Sequence, residues 1–164
     1  MNIQIAELVN DSIVDGKGLR LSIYVQGCSH HCKGCHNPQT HDPRGGKTMA
    51  IEEIWALAQK NPLIDGLTFS GGEPMEQPIP LIALARKAKD AGMGIWCYTG
   101  YTWEELVNSD DDRKELLGLV DVLVEGPFKL EERTLSMAFK GSKNQRIIDV
   151  PQSLAKGKIV LFME

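Results

Sequence analysis

The stretch Gly66-Leu67-Thr68-Phe69-Ser70-Gly71-Gly72-Glu73-Pro74 decides how this chain is read. Gly66 to Phe69 make a short buried strand, and the Gly-Gly-Glu-Pro that follows breaks it. Downstream, Ile79, Ile82, Leu84 and Ala88 mark a helix that Gly92 and Gly94 close. Gly94-Ile95-Trp96-Cys97-Tyr98 is the next strand, Thr102-Trp103-Glu104-Glu105 opens a helix with a capping box, and Val120-Asp121-Val122-Leu123-Val124 is a strand again. Upstream, Leu21-Ser22-Ile23-Tyr24-Val25 reads as a strand, and Ile51, Ile54, Trp55 and Ala58 recur at helical spacing with Thr48 placed to cap. Strands near Leu67, Ile95 and Val122 at nearly equal spacing, with a helical stretch between each pair, predict repeated βα units on a parallel sheet. The pattern weakens through residues 129–157, and Lys158-Ile159-Val160-Leu161-Phe162 supplies a last strand. Four to six strands are too few for a closed barrel of about 250 residues. The expected fold is therefore α/β, an open, partial parallel β/α barrel in a single domain over residues 1–164.

The bulk composition narrows the function classes. The chain has 164 residues, 42% hydrophobic and 24% charged, with a formal net charge of -4, which gives no electrostatic reason for binding a phosphate backbone. No nucleic-acid partner is expected. Met1-Asn2-Ile3-Gln4-Ile5-Ala6-Glu7-Leu8 lacks the basic and unbroken apolar regions of a signal peptide, and no apolar run is long enough to span a bilayer. No membrane association is expected, and the expected location is the cytoplasm.

Of the four cysteines, three crowd into Cys28-x-x-x-Cys32-x-x-Cys35, at the point where the strand Leu21–Val25 gives way to a long loop over residues 27–47. Such clustering points to a metal or redox site, and loops of this length in compact domains usually carry function. Three thiolates hold soft iron or zinc and leave one position open, so a small molecule can reach an iron of a cubane cluster directly. His30, His31 or His36 could each supply a fourth ligand, which keeps a closed Cys3His zinc site as the rival. Right-handed crossovers put the cysteine loop and the Gly-Gly-Glu-Pro loop together at the carboxyl edge of the sheet. There, paired glycines let backbone approach a ligand, and a carboxylate suits an ammonium group such as the methionyl end of S-adenosylmethionine.

The remaining residues read more plainly. Cys97 is expected to be a buried thiol, His30 and His31 to face solvent, and His41 to have no evident partner. Ser109-Asp110-Asp111-Asp112 reads as a solvated helix cap, and Trp55 and Trp103 as packing groups. The basic segment from Lys140 to Arg146 reads either as a dock for an acidic partner or as a wet loop.

A C-x-x-x-C-x-x-C loop after one strand and Gly-Gly-Glu-Pro after the next resemble the radical S-adenosylmethionine superfamily. Asp15-Gly16-Lys17-Gly18-Leu19-Arg20, Gly27-Cys28 and Cys35-His36-Asn37-Pro38-Gln39-Thr40 are similar to its glycyl-radical activating enzymes. Trp96-Cys97-Tyr98-Thr99-Gly100-Tyr101, the stretch from Asp121 to Phe128 and that from Lys140 to Asp149 resemble the activators of anaerobic ribonucleotide reductase. The resemblance implies that Cys28, Cys32 and Cys35 ligate a [4Fe-4S] cluster, that Gly71, Gly72 and Glu73 hold the methionyl group of S-adenosylmethionine, and that Gly34, Cys35 and His36 lie along its adenosyl part. It also implies reductive cleavage of that cofactor, a glycyl radical on the reductase as product, and a single-electron donor such as a flavodoxin. A small-molecule radical enzyme of the deazapurine-forming type is the rival within the superfamily.

Overall fold

The computed structural model describes residues 1–35 and 37–163. Among the described residues eight strands follow one another as β1 (Asn2–Ser12), β2 (Arg20–Val25), β3 (Lys47–Ala50), β4 (Gly66–Gly71), β5 (Gly94–Tyr98), β6 (Val122–Glu125), β7 (Arg146–Asp149) and β8 (Leu161–Met163). They form one open sheet in the order β3-β1-β2-β4-β5-β6-β7-β8. Its centre is the parallel unit that the sequence predicts: β2, β4, β5 and β6 lie side by side in chain order and point the same way. Antiparallel strands widen it on both flanks, β1 and β3 beyond β2, β7 and β8 beyond β6.

Eight strands replace the four to six expected, and the additions have physical reasons for being hard to read. β1 alternates cleanly only at Ile3 and Ile5, because its pairing with β2 slips between Ile5 and Glu7 and again between Val9 and Ser12. β3 and β7 have 4 residues each, too few to show a period. Thr48, expected to cap a helix, lies inside β3, where its hydroxyl donates to Gln4 Oε1 at 2.7 Å. The helix α1 (Ile51–Lys60) starts behind Ala50 with no side-chain cap, and Glu52 and Glu53 complement its positive end.

The remaining helices are α2 (Pro78–Asp90), α3 (Trp103–Val107), α4 (Asp112–Leu117) and α5 (Val150–Lys156). At α3 the expected capping box forms, with Thr102 Oγ1 accepting from the Glu105 N–H and the Glu105 carboxylate accepting from the Thr102 N–H. Asp111 caps α4 by accepting from the Arg113 N–H.

Strand alternation divides the molecule into two faces. Leu21, Ile23, Val25, Leu67, Phe69, Ile95, Cys97 and Leu123 point to one side, where all five helices contribute to a common buried core. On the other side, Trp96, Val122, Val124 and Ile147 form a smaller cluster against Tyr98, Phe139 and Met163. That second face is polar toward β2 and β4, with Arg20, Ser22, Tyr24, Thr68 and Ser70 in register. Arg20, 3% exposed, is satisfied at the amino edge by Thr68 Oγ1 at 2.8 Å and by the carbonyls of Lys17, Leu67 and Gly94 at 2.8, 3.0 and 2.8 Å. Desolvation by burial lowers its pKa to about 10. Among the described residues no helix is long and apolar enough to cross a membrane.

Candidate functional site

The loops that leave the carboxyl ends of the parallel strands enclose a cavity of about 410 Å³. Cys28, Cys32 and Cys35 line it from the loop after β2, Gly71, Gly72 and Glu73 from the loop after β4, and Tyr98, Thr99 and Gly100 from the end of β5. The expected meeting of the cysteine loop with the double-glycine loop is therefore present.

The glycine pair makes that meeting possible. Gly71 has φ +93°, and a Cβ there would stand 2.6 Å from the Val25 nitrogen of β2. At Gly72 a Cβ would stand 2.4 Å from the Gly27 carbonyl oxygen and 3.0 Å from that of Thr40. The missing side chains thus let the loop pass against β2 and under the cysteine loop. Backbone bonds fix the contact: the Gly72 N–H donates to Val25 O and the Glu73 N–H to Gly27 O, each at 2.8 Å. The far end of the cysteine loop returns to the same place, with the Gly27 N–H on Thr40 O at 2.6 Å and the Cys28 N–H on His41 O at 3.1 Å.

Glu73 is 1% exposed and ties three loops together. Its Oε2 accepts from the Met75 N–H at 2.9 Å and the Thr99 hydroxyl at 2.8 Å, and its Oε1 from the Gly100 N–H at 2.7 Å. The fourth partner is His30, whose Nε2 lies 2.6 Å from Oε1. His30 was expected to face solvent. Instead its ring packs edge-on to Tyr101, with centroids 4.7 Å apart, and the carboxylate hydrogen bond raises its pKa. Beside it, Ser29 is latched to Glu76 by its hydroxyl and by its N–H, the latter at 3.2 Å. Nothing local in the sequence signals this, because the partner of His30 lies 43 residues away.

The thiols themselves are free and half-buried. Desolvation pushes the Cys28 thiol up to about 11, helped by Glu73, Glu76 and Cys32, while the His30 backbone N–H pulls the other way by hydrogen bonding to the sulfur. The Asn37 N–H donates to Cys35 Sγ at 3.4 Å. Gly34 occupies the turn between Cys32 and Cys35, closed by the Cys35 N–H on Cys32 O at 3.1 Å. His36 lies outside the described residues. Three thiols lining one cavity, with the Asn37 N–H directed at the sulfur of Cys35, fit a thiolate-bound iron–sulfur cluster. Among the described residues no three His, Cys, Asp or Glu side chains converge on a single ion, the three thiols included. Cys97 is fully buried, as expected, and burial raises its thiol pKa well above the usual range.

Two further features were not foreseen. Asp15 lines the same cavity and accepts from the Tyr24 hydroxyl and, at 2.9 Å, from Ser12 Oγ, while its own carbonyl accepts from Thr68 Oγ1 at 2.6 Å. Arg146, read as part of a basic segment, is committed internally: it bonds Glu125 at 2.9 and 3.0 Å and both oxygens of Glu104 at 2.9 Å.

A cluster-type thiol loop facing a glycine-braced loop across the carboxyl edge of a parallel sheet defines an iron–sulfur α/β protein. Consistent with this, a family described as "4Fe-4S single cluster domain" matches residues 14–148. The chain is 38% identical over 144 residues to the "Anaerobic ribonucleoside-triphosphate reductase-activating protein" of Vibrio cholerae, covering 82% of this chain and 90% of that one. The proteins of the same description from Escherichia coli K12 and Enterobacteria phage T4 are 34% and 32% identical, with 81% and 82% of this chain and 90% and 86% of theirs covered. Among solved structures, QueE from Escherichia coli shares the fold, with a TM-score of 0.51, 18% identity, and coverage of 62% of this chain and 54% of that one. The chain belongs to the 4Fe-4S single cluster domain family and, within it, to the anaerobic ribonucleoside-triphosphate reductase-activating proteins.

Proposed function

We propose that this protein is a radical S-adenosylmethionine oxidoreductase that generates a glycyl radical on an anaerobic ribonucleotide reductase. The observation that carries the reading is the apposition of Cys28, Cys32 and Cys35 with the Gly71-Gly72-Glu73 loop on one cavity. Cys28, Cys32 and Cys35 would hold a [4Fe-4S] cluster, whose chemistry would be the one-electron reductive cleavage of S-adenosylmethionine to methionine and an adenosyl fragment able to take a hydrogen atom from a glycine Cα of the reductase.

The chain's own residues bind, orient and shield. Cys28, Cys32 and Cys35 would hold the cluster as thiolates, their protons released to solvent, and three protein ligands would leave a position for the amino and carboxylate groups of the cofactor. The Gly71-Gly72-Glu73 loop would hold the methionyl end, and Gly34, Cys35 and His36 are assigned to the adenosyl part. Tyr98 and Val124, at strand ends, line the cavity and would help to shield the reacting bond from water. The sheet works as an open, partial barrel in a single domain, and its open side admits the glycine-bearing segment of the partner. A flavodoxin-type donor supplies single electrons, and the reaction takes place in the cytoplasm.

The names of the sequence relatives favour a protein substrate over the small-molecule alternative. The test is to mix the reconstituted, reduced protein with S-adenosylmethionine and a purified anaerobic reductase and record the EPR spectrum. A glycyl-radical signal with a matching yield of 5′-deoxyadenosine is expected. Cofactor cleavage driven by a small substrate, with no radical on the reductase, would overturn this target.

A further inference from the structure

A carboxylate offers about four lone-pair sites, and Glu73 has four protein donors, on Met75, Thr99, Gly100 and His30. An ammonium ligand reaching this carboxylate must therefore displace one of them, at the cost of a buried donor left unpaired. We infer that Glu73 and His30 act as positioning residues: Glu73 braces the loops after β2, β4 and β5, and His30 fastens the cysteine loop to that brace. The inference rests on the reading of the site as a cluster and cofactor site.

The geometry gives His30 a double hold. Its side chain is pinned to Glu73 Oε1 at 2.6 Å, between the Tyr101 ring and the Gly100 backbone, where a Cβ on Gly100 would lie 2.8 Å from the imidazole. Cys28 stands two residues before His30 in the same loop and lines the cavity. Contacts behind a ligand residue orient it and so tune the cluster it would hold. The side-chain bond to Glu73 thus fixes the segment that carries Cys28, and it links that segment to the loop on which the methionyl group would rest.

The experiment compares wild type, His30→Ala and His30→Gln after anaerobic reconstitution, measuring iron content, cluster midpoint potential, and the S-adenosylmethionine concentration that half-saturates the change in the reduced-cluster EPR signal. His30→Ala is expected to keep the fold by circular dichroism, shift the potential, and raise the half-saturating concentration roughly tenfold or more, the scale of a lost charge-assisted hydrogen bond. His30→Gln, which keeps an N–H donor of similar reach, is expected to recover most of both losses. Wild-type potential and affinity in His30→Ala would overturn the inference, as would equal loss in the two variants, which would reduce His30 to bulk. Failure of the wild-type signal to respond to the cofactor at all would instead overturn the functional reading.

Discussion

The two faces of β2, β4 and β5 are built from neighbouring residues and do different work. Toward the helices, Leu21, Ile23, Leu67, Phe69 and Ile95 are closed off from water and are almost uniformly aliphatic or aromatic. Toward the other side, Arg20, Ser22, Tyr24, Thr68 and Ser70 carry polar groups that need partners. Those partners include Asp15, Lys17 and the strand carbonyls, with Ser22 Oγ left unpaired in a buried position. The difference shows where stability is stored: one face supplies the apolar burial, and the other commits its polar groups to partners of their own, with one buried hydroxyl, that of Ser22, left without a partner.

The comparison can be broken first at the thiols. Cys32→Ala is expected to abolish the cluster, read as loss of bound iron and of brown absorption after reconstitution, whereas Cys97→Ala should retain both, because Cys97 belongs to the helix-side core. Equal loss from both, with the fold intact, would make Cys97 a ligand. Next in size, Phe69→Ala should cost about 3–5 kcal/mol in urea unfolding of the metal-free protein, the usual range for emptying a fully buried aromatic site. On the polar face, Arg20→Met should cost about 2–3 kcal/mol, since it takes a donor from the Leu67 and Gly94 carbonyls and from the buried Thr68 hydroxyl. A cost near zero there would mean that the polar face carries no stability through its hydrogen bonds.

Gly71→Ala sharpens the contrast from the loop side. Its positive φ and the 2.6 Å approach to β2 predict a loss of about 1–3 kcal/mol. A disproportionate loss of the cofactor-induced spectral change should accompany it, because the strained element is the loop and not the core. The smallest effect is expected at Thr102→Ala, which removes one arm of a capping box whose bonds run only between Thr102 and Glu105 and should cost about 1 kcal/mol with cluster loading unchanged.

Much of this arrangement is legible in the sequence where a signal is local. Strands Gly94–Tyr98 and Gly66–Phe69 carry buried runs bounded by glycine, and the first coincides with the observed β5. The Thr102–Glu105 box and the Cys28-x-x-x-Cys32-x-x-Cys35 spacing are patterns of near neighbours, and the crossover rule is enough to bring the cysteine and glycine loops together. What escapes is set by tertiary reach. His30 is held by a carboxylate from another loop, Asp15 by a tyrosine on β2, and Arg20 by carbonyls of β4 and of the residue opening β5. β1 escapes for a different reason, since its two register slips erase the alternation that would reveal it.

The central claim is that three thiolates hold a cluster with one iron open to S-adenosylmethionine. Its most direct test is low-temperature EPR of the anaerobically reconstituted, dithionite-reduced protein, recorded with and without that cofactor. A reduced-cluster signal whose shape shifts on adding S-adenosylmethionine, and which is absent in Cys32→Ala, is the predicted result. A colourless protein that holds zinc stoichiometrically, or a cluster signal indifferent to the cofactor, would contradict it.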